Sequence, residues 1–97
     1  MSDYFLDASA LVKRYMTEAG SKWVSQLTDP AATNTILIAE ITMAEVAAAL
    51  AAKHRAAFGI TQQQRDRALS RFLQDCNELF LLLPVDRKVI ARAVRLT

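Results

Sequence analysis

The chain has 97 residues, 53% of them hydrophobic and 23% charged, with two glycines, two prolines and one cysteine. That length and balance suit one small folded domain and exclude a disordered segment or a disulfide-stapled scaffold. Net charge is +2, yet residues 1–50 hold three basic and six acidic side chains, and residues 51–97 hold nine basic and four acidic ones.

An acidic half beside a basic half suits a metal-dependent enzyme acting on a polyanion. It equally suits solvated helix faces, and on charge alone that is the simpler reading. The lone Cys76 cannot form an internal disulfide, which fits a reducing, cytoplasmic setting. No basic segment leads into a long apolar run at the start, so no signal peptide is expected. The most apolar stretch, residues 36–58, is broken by Glu40, Glu45, Lys53, His54 and Arg55, so no membrane span is expected.

Tyr4, Phe5 and Leu6 read as a short buried strand that presents Asp7 at its carboxyl tip. Ser9 can then cap a short helix to about Tyr15. Gly20 and Ser21 open a second helix with Trp23, Val24 and Leu27 on one face. Asp29-Pro30 closes it, because a residue before proline is biased away from helical geometry. Residues 35–39, Thr-Ile-Leu-Ile-Ala, form a continuous apolar run consistent with a strand buried on both faces.

Thr42 starts a long helix to about Phe58, ended by Gly59, with Met43, Val46, Leu50 and Ala57 as its core stripe. Thr61 and Gln64 form a capping box ahead of a helix carrying Ala68, Leu69, Phe72, Leu73 and Cys76 at helical spacing. Arg67, Arg71 and Asp75 lie four apart on another face, where their charges can interact. Residues 79–83 read as a third buried strand, stopped by Pro84. Asp86 can cap a last helix with Val89, Ile90, Ala93 and Val94 inward. Strands alternating with helices predict an α/β fold: a parallel sheet flanked by helices, in a single domain.

Two carboxylates carry the candidate chemistry. Asp7 and Glu45 each follow a predicted parallel strand, and parallel connections bring those carboxyl ends to one edge of the sheet, where ligands bind in open α/β folds. Hard oxygen donors there suit Mg²⁺ or Mn²⁺, which take one or two carboxylates plus waters and phosphate oxygens. Ser9 can orient Asp7 or a metal-bound water. Each has an architectural reading as well: Asp7 and Ser9 as helix caps, and Glu45 as the acid of a Thr42-x-x-Glu45 capping box. Glu40 either joins the acids or faces water, the second being the simpler.

Other chemistries lack parts. His54 is the only histidine, so neither a histidine-based zinc site nor a Ser-His-Asp triad can be assembled around it with local support. Cys76 fits an apolar helix stripe. The glycine-rich phosphate loops of nucleotide-binding folds are absent.

Three segments, Tyr4-Phe5-Leu6-Asp7-Ala8-Ser9-Ala10-Leu11-Val12-Lys13-Arg14-Tyr15, Glu18-Ala19-Gly20-Ser21 and Ile41-Thr42-Met43-Ala44-Glu45-Val46, together resemble PIN-domain nucleases, in particular VapC-like toxins of bacterial toxin–antitoxin pairs. Phe72, residues 82–84 and residues 89–93 fit the same pattern, so the resemblance spans essentially the whole chain.

It implies a PIN-like fold and a Mg²⁺- or Mn²⁺-dependent endoribonuclease acting on RNA. Asp7 would stand as the first metal-binding acid, Glu45 as the second, and Ser9 as the accompanying hydroxyl. It also implies a homodimer and a cognate antitoxin that covers the site. Lys13, Arg14, Lys53 and Arg55 are candidate phosphate contacts. Against the family pattern, a further strand and helix with additional acids would follow Thr97, so the domain is expected to be incomplete at that end. The alternative is a non-catalytic PIN-like module that binds an antitoxin or a second copy of itself.

Overall fold

The computed structural model describes residues 2–84. Over that span the chain alternates strand and helix. The order is β1 (Asp3–Phe5), α1 (Ala8–Tyr15), α2 (Ser21–Thr28), a 3-10 turn (Pro30–Ala32), β2 (Thr35–Ala39), α3 (Ile41–Arg55), α4 (Gln62–Glu78) and β3 (Leu81–Leu83). The three strands form one parallel sheet in the order β1-β2-β3. The α/β expectation therefore holds. The expected last helix, from Asp86 onward, lies outside the described residues.

Register explains which strand residues are buried. Tyr4 pairs with Ile36, and Ile38 with Leu82. Ile36 and Ile38 are buried, and Tyr4 and Leu82 pack partly against the core. On the alternate face Phe5 pairs with Leu37, and Leu37 with Leu81. Phe5 and Leu81 are 60% and 53% exposed.

Two right-handed crossovers that step the same way across a sheet put their helices on one side. The described helices accordingly cover one face, and the apolar row Phe5-Leu37-Leu81 marks the other. This corrects the expectation that residues 35–39 are buried on both faces: Ile36 and Ile38 are enclosed, while Leu37 is half-buried.

The core is centred on Phe72, Leu11, Ile38, Leu50 and Val46, all fully enclosed. Phe72 meets Tyr15 edge-on at 5.7 Å and Phe80 at 6.5 Å between ring centroids. Edge-to-face pairs of this kind add to area burial. Truncating a fully buried phenylalanine costs about 3–5 kcal/mol, so Phe72 ties α4 to α1 and to Phe80, the residue before β3.

Several local expectations are replaced by others. The Thr61–Gln64 capping box is present in full, with Gln64 N–H donating to Thr61 Oγ1 at 3.1 Å and Thr61 N–H to Gln64 Oε1 at 2.8 Å. The Thr42–Glu45 box is absent. α3 begins one residue earlier than expected, with Glu40 at the cap position and no side-chain capping bond. Thr42 is then inside the helix and buried, so it is not placed to act as the cap.

Trp23 does not join Val24 and Leu27 on the inner face; it is 60% exposed. At the far end α3 stops at Arg55, three residues sooner than expected. Ala57 therefore falls in the following loop, exposed. Gly59 ends this turn because a Cβ there would collide with the Lys53 carbonyl.

Candidate functional site

Asp7 lies two residues beyond β1, at the carboxyl edge of the sheet, and is the N-cap of α1. Its Oδ1 accepts the Ala10 N–H at 2.9 Å and the Ser9 hydroxyl at 3.1 Å. The expectation that Ser9 is itself the cap is corrected. The cap is Asp7, and Ser9 braces the capping carboxylate. The helix N-terminus favours negative charge at this position. Both known bonds fall on one oxygen, and among the described residues none reaches Oδ2. Asp7 is exposed, and its second oxygen has no hydrogen-bond partner among the described residues.

Glu45 sits one turn into α3. It is exposed and forms no ion pair among the described residues. α1 and α3 pack on each other, and both begin at the carboxyl edge of the parallel sheet, Asp7 at the head of one and Glu45 near the head of the other. Glu40 is the residue after β2. It is exposed, and its backbone N–H donates to the Leu83 carbonyl at 3.0 Å.

Among the described residues no group of three or more histidine, cysteine, aspartate or glutamate side chains gathers around one point. Asp7 and Glu45 each carry an exposed carboxylate near this edge of the sheet.

Three of the candidate phosphate contacts, Lys13, Arg14 and Lys53, are engaged elsewhere. Lys53 Nζ donates to Glu18 Oε2 at 2.7 Å, and Lys13 lies 3.7 Å from the other Glu18 oxygen. Lys13 also donates to the Ala19 carbonyl at 2.7 Å. The Lys53 hydrogen bond is the main reason the Glu18 carboxyl is held below its ordinary range, with the nearby lysine charges adding to it. This clamp joins the carboxyl ends of α1 and α3, the end remote from Asp7.

Arg14 Nε donates to Asp75 Oδ2 at 3.1 Å, and its Nη1 donates to Thr28 Oγ1 at 2.9 Å. Of the four candidate phosphate contacts, Arg55 alone has no ion-pair partner among the described residues.

Asp75 is a structural hub that pattern reading assigns to the wrong partners. Spacing by four along α4 suggests pairing with Arg71. Instead the Tyr15 hydroxyl donates to Asp75 Oδ2 at 2.7 Å beside the Arg14 bond, and Arg71 lies over the Tyr15 ring, 5.4 Å from its centroid. Burial, then the hydrogen bond to Asp75, pushes the Tyr15 hydroxyl far above its usual titration range. Cys76, in the core as expected, is pushed up to about 11 by burial and then by the Asp75 charge. His54 Nδ1 pairs with the Ile60 carbonyl at 3.0 Å, a bond that closes the turn after α3.

A concavity of about 690 Å³ opens away from Asp7 and Glu45, between the end of α1, the α3–α4 turn and α4. Nothing in the sequence patterns marked it, because its walls come from three separated segments.

No helix among the described residues is long and apolar enough to cross a membrane. No family model, curated protein or solved structure matches the chain.

Proposed function

We propose that the chain is a PIN-like, Mg²⁺- or Mn²⁺-dependent endoribonuclease of the VapC-like toxin kind, working in the cytoplasm as a homodimer with a cognate antitoxin. The observation that carries this reading is the Asp7 carboxylate. It is exposed and fixed by Ala10 and Ser9 through one oxygen, with no partner on the other among the described residues, at the sheet edge where the Glu45-bearing helix also begins. The α/β architecture is compatible with the reading without being specific to it.

In this proposal Asp7 and Glu45 hold the ion. When bound, a divalent ion supplies an activated water and neutralises charge building on the scissile phosphate. Ser9 keeps Asp7 in one rotamer, and the α1 N-terminus favours its ionised form. The Ala10 N–H and the Ser9 hydroxyl occupy Oδ1, so Oδ2 is the oxygen left for the ion. Lys13, Lys53 and Arg14 are spent on Glu18 and Asp75, which leaves Arg55 as the remaining candidate of that group for RNA phosphate.

The test is cleavage of a fluorogenic RNA in Mn²⁺ or Mg²⁺, with and without chelator, for the wild type and Asp7→Asn. Asparagine caps helices as well as aspartate does, so it preserves α1 while removing the charge. Cleavage lost with chelator and lost in the variant supports the proposal. Chelator-resistant cleavage, or a variant at the wild-type rate, refutes it.

One observation favours a second reading, a non-catalytic module that self-associates or binds an antitoxin. The row Phe5-Leu37-Leu81 with Leu83 leaves apolar surface on the face opposite the described helices. Exposed apolar patches of this kind mark interaction surfaces.

A further inference from the structure

The concavity at the carboxyl ends of α1 and α3 differs in chemistry from the Asp7 edge. Its rim carries Lys53, Arg67 and Arg71, and its apolar surface includes Tyr15, Phe58 and Ile60. α1 alone, eight residues long, separates the two sites by about 12 Å at 1.5 Å per residue.

Three features of this cavity stand out. Arg67 and Arg71 lie one helical turn apart, are exposed, and have no salt bridge among the described residues. The acid nearest them on their own helix face, Asp75, is taken by Arg14 and Tyr15, and Asp66 is taken by Arg65. The Arg71 guanidinium is supported from below by the Tyr15 ring, which leaves its N–H edge free for an anion.

The third feature is Phe58. Its backbone is left-handed, φ 58°, and its side chain is wholly exposed. A bulky non-glycine residue is uncommon in that conformation, and holding one there costs about 1–3 kcal/mol. No packing offsets the strain, because the ring is buried against nothing. Backbone strain of this kind clusters at functional sites, and here it sits beside an exposed aromatic ring on a cavity wall.

We infer that this cavity binds a nucleotide unit, with its phosphate on Arg67 and Arg71 and its base stacked on the Phe58 ring. The volume lies within the range of small-molecule sites. Paired cations supply the phosphate recognition, and an exposed ring supplies a sequence-tolerant platform for a base. A free mononucleotide and a single-stranded RNA segment offer this same chemistry. The site uses neither Asp7 nor Glu45, so the inference stands apart from the nuclease proposal.

The experiment is a titration of the full chain with AMP, followed by calorimetry, and with a short fluorescein-labelled oligoadenylate, followed by anisotropy. The variants are Phe58→Gly and the pair Arg67→Gln with Arg71→Gln. Glycine adopts a left-handed φ without strain, so Phe58→Gly removes the ring and keeps the turn. Stacking on an aromatic side chain is worth about 1–3 kcal/mol per base, so Phe58→Gly is expected to weaken binding roughly fivefold or more. The double arginine variant is expected to weaken it at least about tenfold, with a shallower salt dependence.

Binding of both probes identifies free nucleotides as sufficient ligands; binding of the oligonucleotide alone identifies the strand. Either result supports the site if both variants lose affinity. Absence of binding to both probes overturns it. So does affinity unchanged in the variants, or a glutamate-rich peptide that competes equally and is indifferent to Phe58→Gly.

Discussion

The Tyr15 hydroxyl donates to the Asp75 carboxylate at 2.7 Å across sixty residues of sequence, and the same oxygen accepts Arg14 Nε. The side chains of Arg14 and Asp75 are only 16% and 21% exposed, so the cluster lies where an unpaired charge is costly. Replacing Asp75 with alanine strands both donors, and an unsatisfied buried polar group costs about 1–3 kcal/mol. Tyr15→Phe keeps the ring contacts with Phe72 and forfeits one hydrogen bond, so it is expected to cost about 1 kcal/mol. Urea unfolding of the two variants checks both the magnitudes and their order, with Asp75→Ala the more destabilised.

Cys76 predicts a loss of stability in alkali. Burial, and then the Asp75 charge, push its thiol up to about 11 in the folded chain, against an ordinary value of 9.0. Below about pH 9 the folded and unfolded chains both carry the neutral thiol, and this group contributes no pH dependence. Between about 9 and 11 only the unfolded chain ionises, so stability falls as pH rises through that window, and the group's effect levels off above it. Comparing urea midpoints of the wild type and Cys76→Ala from pH 8 to pH 11 isolates this effect. The wild type should lose stability more steeply than the variant. The buried thiol should also resist a thiol-specific reagent until the chain is unfolded.

The sheet face that the described helices leave bare predicts concentration-dependent self-association. Phe5 and Leu81 flank Leu37 in one cross-strand row, and lysine in place of Leu81 would set a charge within any contact made by that row. Leu81 is 53% exposed, so the substitution is expected to leave the isolated fold within about 0.5 kcal/mol. Sedimentation velocity over a range of concentrations should show a larger species for the wild type and its loss in Leu81→Lys.

What the sequence reveals of this fold follows from how local each signal is. The Thr61–Gln64 box is legible because both partners lie within one helical turn. The strand positions are legible because continuous apolar runs between helix-forming segments leave few alternatives. The same template fails at Thr42 and Glu45: packing starts α3 at Ile41 and buries Thr42, so the motif is present and the box is not. Asp75 shows the opposite failure. Its spacing from Arg71 is correct for a helical pair, yet a non-local arginine and tyrosine take it.

At the carboxyl edge of the sheet the position of Asp7 between β1 and α1 is legible from the sequence. The division of labour with Ser9 is not, because it depends on which residue reaches the Ala10 amide. Phe58 carries no sequence signal, since an exposed aromatic becomes informative only with its backbone angle and the cavity beside it.

Whether Asp7 is only a helix cap or also a metal ligand is decided by titrating isotopically labelled chain with Mn²⁺ and following paramagnetic broadening of its amide signals. Broadening centred on Ala8, Ser9 and Ala10 and on the first turns of α3 around Glu45, abolished in Asp7→Asn with the fold intact, is the predicted result. Broadening that persists unchanged in Asp7→Asn, or that avoids this edge of the sheet, contradicts it.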